Sequence, residues 1–173
     1  MNQIEQLKLI VAEVVKSATM VKTLYVFDFD HTIAHTIEER FKLPDGRVYL
    51  AAFSGLSDET SPNEPIFSLF QSHVAADPDT TYILTARPVG VKKPMIKWLE
   101  KHDIDIDPSK LIFLGNSAPN KKRDWIMNKV LEISAKKVIF WDDREKNVKA
   151  VQSLSDIKKY PDMQGIKVEA ILV

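Results

Sequence analysis

Five dense apolar runs punctuate the chain, at residues 23–29, 80–84, 110–114, 137–141 and 166–173. They are rich in Val, Ile, Leu, Tyr and Phe and alternate little with polar residues, the pattern of strands buried on both faces. Between them lie 65–76, 91–102, 120–135 and 145–154, where apolar residues return every three or four positions. That is the period of a helix with one covered side. Strands alternating with helices require crossovers, which are right-handed and place helices on both faces of a mainly parallel sheet. The pattern therefore predicts an α/β fold, a three-layer doubly wound parallel sheet of Rossmann-like form. In such folds ligands bind beyond the carboxyl ends of the strands.

Two segments stand apart from this alternation. Residues 1–22 carry Ile4, Leu7, Ile10, Val11, Val14, Val15 and Ala18 at helical spacing, interrupted by Glu5, Lys8, Glu13 and Lys16. This reads as an amphipathic helix packed on the core, and as neither a signal peptide nor a membrane span. Residues 33–63 are irregular, with Pro44, Asp45 and Gly46 resembling a hairpin turn between short strands at 41–43 and 47–53. Such an insertion makes a small flap over the strand ends, too short for an independent cap. The expected organisation is a helix over 1–22 and one domain over 23–173, with the flap at 33–63.

Composition adds limits. A chain of 173 residues, 45% hydrophobic and 28% charged, suits one soluble domain. Its 24 Lys and Arg balance 24 Asp and Glu, so no global field draws in nucleic acid or an anionic membrane, and such binding needs a local patch. No membrane partner is expected. The absence of cysteine excludes disulfides, thiolate nucleophiles and cysteine-held zinc, and fits a cytoplasmic location.

The candidate chemistry stands where the strands end. Asp28 and Asp30 close the first run, and residues two apart on an extended chain share a face, so both carboxylates can enter one crevice. Two anions so placed call for a cation or a shared proton. Asp142 and Asp143 close the fourth run, completing an oxygen-only set that favours a hard ion, magnesium above all. Thr85 and Arg87 close the second run and can both donate to phosphate. After the third run, Lys121, Lys122 and Arg123 fall in the first turn of a helix, where cations oppose the helix dipole and suit an anion. Singly these signals are weak, since an acid at a strand end can merely cap a helix. Four in a fixed order are far more specific.

The order of acid pair, Thr, Lys and late acid pair resembles the haloacid dehalogenase superfamily over residues 23–157. The resemblance implies Asp28 as nucleophile and Asp30 as the acid, then base, of a phosphatase that passes through an aspartyl phosphate. It implies Thr85 and Lys122 as holders of the transferred phosphoryl group. It also implies Mg2+ held by Asp28, the Asp30 main-chain carbonyl, Asp142 and Asp143. Within the superfamily the chain is similar to phosphatase domains of the bacteriophage polynucleotide kinase type and related RNA-repair-like domains. That likeness rests on Lys122-Arg123-Asp124-Trp125-Ile126 and on Asp142-Asp143-Arg144, and it selects Lys122 over Lys121. No Gly-x-x-x-x-Gly-Lys-Ser/Thr loop is present for a kinase half.

A small flap leaves the site open to a large substrate. The expected substrate is a phosphorylated one, a polynucleotide or nucleotide 3′-phosphate end, with Arg87, Lys121, Arg123 and Arg144 as contacts. Small phosphometabolites and phosphoproteins are the alternatives within the same chemistry. Outside it stand a receiver-like phospho-switch, disfavoured because the third run ends Phe113-Leu114-Gly115-Asn116 without an acid, and a silent binding domain, disfavoured because all four motifs are kept. Simpler roles suit the remaining residues. Arg144 is expected to pair with a neighbouring acid, Thr32 to cap the turn beneath Asp30, and Trp98, Trp125 and Trp141 to lie in the core. His31 is expected to point away from the site, and His35, His73 and His102 to lie at the surface or at helix ends.

Overall fold

The structure, a computed structural model, describes Glu5, residues 21–36 and residues 56–173. The hairpin strands expected at 41–43 and 47–53, and nearly all of the helix expected over 1–22, lie outside the described residues. Five strands form one sheet: β1 (Thr23–Phe27), β4 (Thr81–Thr85), β5 (Leu111–Phe113), β6 (Lys137–Asp142) and β7 (Lys167–Leu172). Their order is β5-β4-β1-β6-β7, and every neighbouring pair is parallel. Two short strands, β2 (Ala34–His35) and β3 (Ser61–Pro62), pair antiparallel and close the base of the insertion.

Among the described residues four helices cover the sheet: α1 (Ile66–Ala76), α2 (Lys92–Lys101), α3 (Pro119–Glu132) and α4 (Glu145–Gln152). The alternation of side chains along each strand sorts the core into two layers. Phe27, Phe29, Ile83 and Trp141 face α1 and α2, which bring Phe67, Phe70, Met95, Trp98 and Leu99. Leu24, Val26, Leu84, Val138 and Phe140 face the other way, toward Ile126 and Val130 of α3 and Val151 of α4. The expected α/β three-layer sheet is the observed one, and the five strands expected in it and the four helices expected between them lie within a few residues of their places. Among the described residues no helix is long and apolar enough to cross a membrane.

Two expectations need correction. The last run is not buried on both faces, because β7 is an edge strand with one neighbour, and Ile171 and Leu172 are exposed. Of the three tryptophans, Trp98 and Trp141 are buried, whereas Trp125 is only half-buried, set edge-on to Tyr82 at the margin of the core.

The α1 side of the core is held by aromatic contacts. Phe70 meets Phe27 edge-on with ring centroids 5.2 Å apart, and Phe27 stacks on Trp141 at 4.2 Å. Phe27 directly precedes Asp28, so this packing sets the angle at which the strand delivers the acid. Phe70→Ala is expected to cost about 3–5 kcal/mol, the usual range for emptying a buried phenyl site. Urea denaturation reads it as a lower midpoint at unchanged slope.

Candidate active site

Strand register places the first two acids side by side. Phe27 pairs with Trp141, and the amide of Asp28 donates to the Trp141 carbonyl at 2.9 Å. Asp28 follows Leu24 and Val26 in the alternation, and Asp142 follows Val138 and Phe140, so both carboxylates rise on the α3 side of the sheet. There the first turn of α3 supplies Lys122. Its Nζ lies 2.6 Å from Asp28 Oδ1 and 2.6 Å from Asp142 Oδ2. All three residues are buried. Of the two candidate lysines, Lys122 meets the acids and Lys121 is exposed. Pro119 starts the helix with φ already suited to it, one residue after Ala118.

Asp30 points elsewhere. Its carboxylate receives Arg87 in a fork, from Nη2 to Oδ1 at 2.6 Å and from Nε to both oxygens at 3.0 Å. Arg87 is buried, and its backbone amide donates to Thr85 Oγ1 at 3.1 Å, so one turn after β4 fixes both the guanidinium and the hydroxyl. Gly115 ties this turn to the next strand, its amide donating to the Arg87 carbonyl at 3.1 Å. Its φ of 60° is in the left-handed region, which glycine enters without a steric penalty. Arg87, expected as a substrate contact, donates from Nε and Nη2 to Asp30 and so orients that acid.

A second set of polar groups holds the first. Asn147 of α4, buried, donates from Nδ2 to both oxygens of Asp142 at 2.9 and 3.0 Å, and the Arg144 amide donates to Oδ1 at 2.9 Å. Thr32 Oγ1 accepts from the amide of Asp143 at 3.1 Å. Thr32 was expected to brace Asp30 within its own turn; it braces the opposite acid pair instead, because the turn after β1 folds toward β6. Asn63, just past β3, donates from Nδ2 to the carbonyls of His31 and Thr32 at 2.8 and 3.0 Å. Asn147 and Asn63 escape a reading of the sequence for charged groups. The one signal for Asn147 is its place in the first helical turns after Asp142, within side-chain reach of that acid.

The remaining candidates stand further out. Arg123 forks onto Asp124 Oδ1 at 2.6 and 2.8 Å and lies over the Tyr160 ring. That engages it locally and weakens its role as a substrate contact. Arg144 is exposed and, contrary to expectation, enters no ion pair among the described residues. His31, exposed with φ of 57°, does not point away from the site as expected, because it stands near enough to Asp143 to lower that acid against the larger rise from burial. His35 is exposed, His73 is in the last turn of α1 and His102 caps α2.

The electrostatics of the cluster follow from burial. Asp28 is pushed up to about 7: desolvation raises it most, Lys122 pulls it back, and Asp142 and Asp30 add to the rise. Desolvation works to strip the proton from Lys122, but Asp28 and Asp142 together outweigh it and move the ammonium above its ordinary range. Asp143, half-buried, is raised by desolvation and by Asp142. Asp28, Asp142 and Asp143 offer ligand oxygens within 4.8 Å of one another. Ionised, they exceed the charge of Lys122 by two, the charge of one divalent cation. The residues therefore fit a hard divalent ion: oxygen donors only, close together and short of two positive charges. The Asp30 carboxylate is not among the three.

No protein-family model and no curated protein matches the chain. Among solved structures it is similar to a chain of the structure of the Pnkp1/Rnl/Hen1 RNA repair complex, with a TM-score of 0.46 and 15% sequence identity. The likeness covers 89% of this chain and 43% of that one. At that level it carries no argument about family or function.

The raised Asp28 makes a pH prediction. A carboxyl whose folded value lies above its unfolded one contributes stability that is complete below the unfolded value, about 4, and is lost as pH rises through the folded one. A cation must displace that proton, so it binds more tightly as pH rises over the same window. Measured against Asp28→Asn, the metal-free protein is expected to lose Tm between about pH 4 and about pH 7. Added magnesium should raise Tm more at the upper end than at the lower. A magnesium effect equal at both ends would show that the ion does not bind at Asp28.

Proposed function

We propose that the protein is a magnesium-dependent phosphomonoester hydrolase of the haloacid dehalogenase superfamily, acting through an aspartyl phosphate on Asp28. The observation that carries this reading is the buried ammonium of Lys122 shared by Asp28 and Asp142, in a cluster two positive charges short of neutral. Phosphoryl transfer asks for that combination: a placed nucleophile and positive charge for the equatorial oxygens. A second carboxylate, Asp30, stands near enough to Asp28 to raise it and is oriented by the Arg87 fork.

In the first step an Asp28 carboxylate oxygen forms a bond to phosphorus as the bond from phosphorus to the ester oxygen breaks. Asp30 gives its proton to the leaving oxygen. In the second step Asp30 takes a proton from water, whose oxygen attacks phosphorus and frees the Asp28 carboxylate and inorganic phosphate. Lys122 Nζ, anchored on both sides, and Thr85 Oγ1 hold the phosphoryl group across the two steps. Magnesium, when held by Asp28, Asp142, Asp143 and the Asp30 carbonyl, supplies positive charge against the phosphoryl oxygens. Asn147 and Thr32 keep Asp142 and the Asp143 backbone in position for that set.

The substrate we propose is the 3′-phosphate end of a polynucleotide or nucleotide. Exposed cations at the same rim, Lys121 and Arg144 among them, support an anionic leaving group larger than a simple metabolite.

Phosphate release with and without magnesium, from oligonucleotide 3′-phosphates, 5′-phosphates, free nucleotides, sugar phosphates and phosphopeptides, tests the reading. Magnesium-dependent release is expected, strongest from 3′ ends and abolished in Asp28→Asn. Asp30→Asn should lose roughly 10²–10⁴-fold in kcat, the range for one general acid–base group. Release that survives Asp28→Asn would overturn the assignment of the nucleophile.

A further inference from the structure

Asp142 is saturated with donors. Its Oδ2 accepts from Lys122 Nζ at 2.6 Å and from Asn147 Nδ2 at 3.0 Å, and its Oδ1 accepts from the Arg144 amide at 2.9 Å and from Asn147 Nδ2 at 2.9 Å. A carboxylate has about four lone-pair sites, shared evenly by its two oxygens, so these contacts take all of them. Asp142 is also 0% exposed. A cation can therefore share Asp142 with Asp28 and Asp143 only after one of the donors has left. The acids that fit a divalent ion by charge and spacing are closed to it by a hydrogen bond.

The donors differ in what holds them. The Arg144 amide is main chain at the start of α4, fixed by the turn that joins β6 to that helix. Asn147 is buried on α4, and its short side chain has no charge to trade with a cation. Of the three residues only Lys122 carries the sign of charge that an incoming ion brings, on a flexible four-carbon stem that can turn the ammonium without moving α3. It also has contacts to keep. Nζ lies 2.6 Å from Asp28 Oδ1 and 5.8 Å from the centroid of the Phe140 ring, so a carboxylate and an aromatic face remain when Asp142 is given up. Exchange of the ammonium for an ion leaves Asp142 paired throughout, which a buried acid requires.

We propose that Lys122 is a built-in competitor of the divalent ion: it occupies the Asp142 oxygen that the ion takes, and it turns to the phosphoryl group as the ion loads. The inference rests on the metal assignment within the phosphatase reading and deepens it, by making ion and lysine act in sequence at one oxygen. An ammonium has three hydrogens to donate. With Asp28 and Asp142 both held, one is left for a phosphoryl oxygen; with Asp142 handed to the ion, two are. Loading thus adds a donor to the phosphoryl group besides the charge of the ion. The bond from Lys122 to Asp142 belongs to the site before loading, where it keeps two buried acids beside a cation.

Calorimetric titration of Mg2+ into the full chain, without substrate, reads the competition. Lys122→Met keeps the length of the side chain and removes its charge, and its Kd for Mg2+ is expected to fall by roughly 5–150-fold, the usual range for two coupled binding events. Removing a charge also helps a cation directly. Asp142→Asn separates the two effects, because in that background the lysine has no carboxylate there to give up, and the same substitution should gain clearly less. The unaltered protein supplies a measurement that needs no variant to fold. With 15N and 13C labelling, hydrogen-bond couplings from Lys122 Nζ reach the carboxyl carbons of Asp28 and Asp142; saturating Mg2+ should abolish the coupling to Asp142 and keep that to Asp28. Both couplings intact at saturation, with equal gains in the two backgrounds, would overturn the competition and leave the phosphatase reading standing. Release of the lysine from Asp142 as expected, with no phosphate freed from any substrate of the panel, would overturn the phosphatase reading and keep the exchange. No Mg2+ binding to the unaltered protein or to Lys122→Met would overturn the metal assignment and the proposal with it.

Discussion

A buried ammonium can keep its charge only beside carboxylates, and two buried carboxylates can stand on adjacent strands only beside a cation. Lys122 between Asp28 and Asp142 satisfies both conditions at once. The register of β1 on β6 leaves no freedom in this: once Phe27 is opposite Trp141, the next residue of each strand is an aspartate, and the two side chains rise together. The start of α3 must then lie where its first turn reaches them. Removing the lysine would leave two acids buried without a cation, a loss on the order of 3–5 kcal/mol by comparison with other broken buried pairs. The position of α3 on the sheet is therefore an electrostatic matter as much as one of apolar packing.

The other polar contacts extend from this pair. Asn147 and the Arg144 amide fix Asp142, and Thr32 receives the Asp143 amide. Asn63 closes the circuit by binding the His31 and Thr32 carbonyls from the end of the insertion. The turns after β1 and β6 and the returning insertion are thus held to one another by hydrogen bonds, around a cluster that carries excess negative charge. Arg87 gives the second aspartate a separate partner, which keeps Asp30 from adding a third unpaired anion to the cluster.

Much of this was legible in the chain. The alternation of buried strands with one-sided helices implies the three-layer sheet, because apolar faces of those two periods can be covered in few ways. The strand-end acids, Thr85 and the cations of α3 were visible as chemistry at the rim. Side-chain partners were not. Arg87 read as a donor to substrate and proves to be a donor to Asp30; Thr32 read as a local cap and bonds across to Asp143; Asn147 and Asn63 carry no charge to betray them. Each of these contacts joins residues whose distance in space is set by strand order and loop path.

The sequence by itself determined the class of fold and the strand ends at which chemistry is concentrated, since hydrophobic period and residue type are local properties of the chain. Only the tertiary structure decided which acids Lys122 shares, which arginine aligns the second carboxylate, and which amides and hydroxyls brace the late acid pair. Those outcomes depend on the parallel register of β1 with β4 and β6, and on the helix faces turned inward to bury apolar surface. Register and facing are properties of packing between distant segments, and a carboxylate a few ångströms from an ammonium is a different group from the same carboxylate read alone.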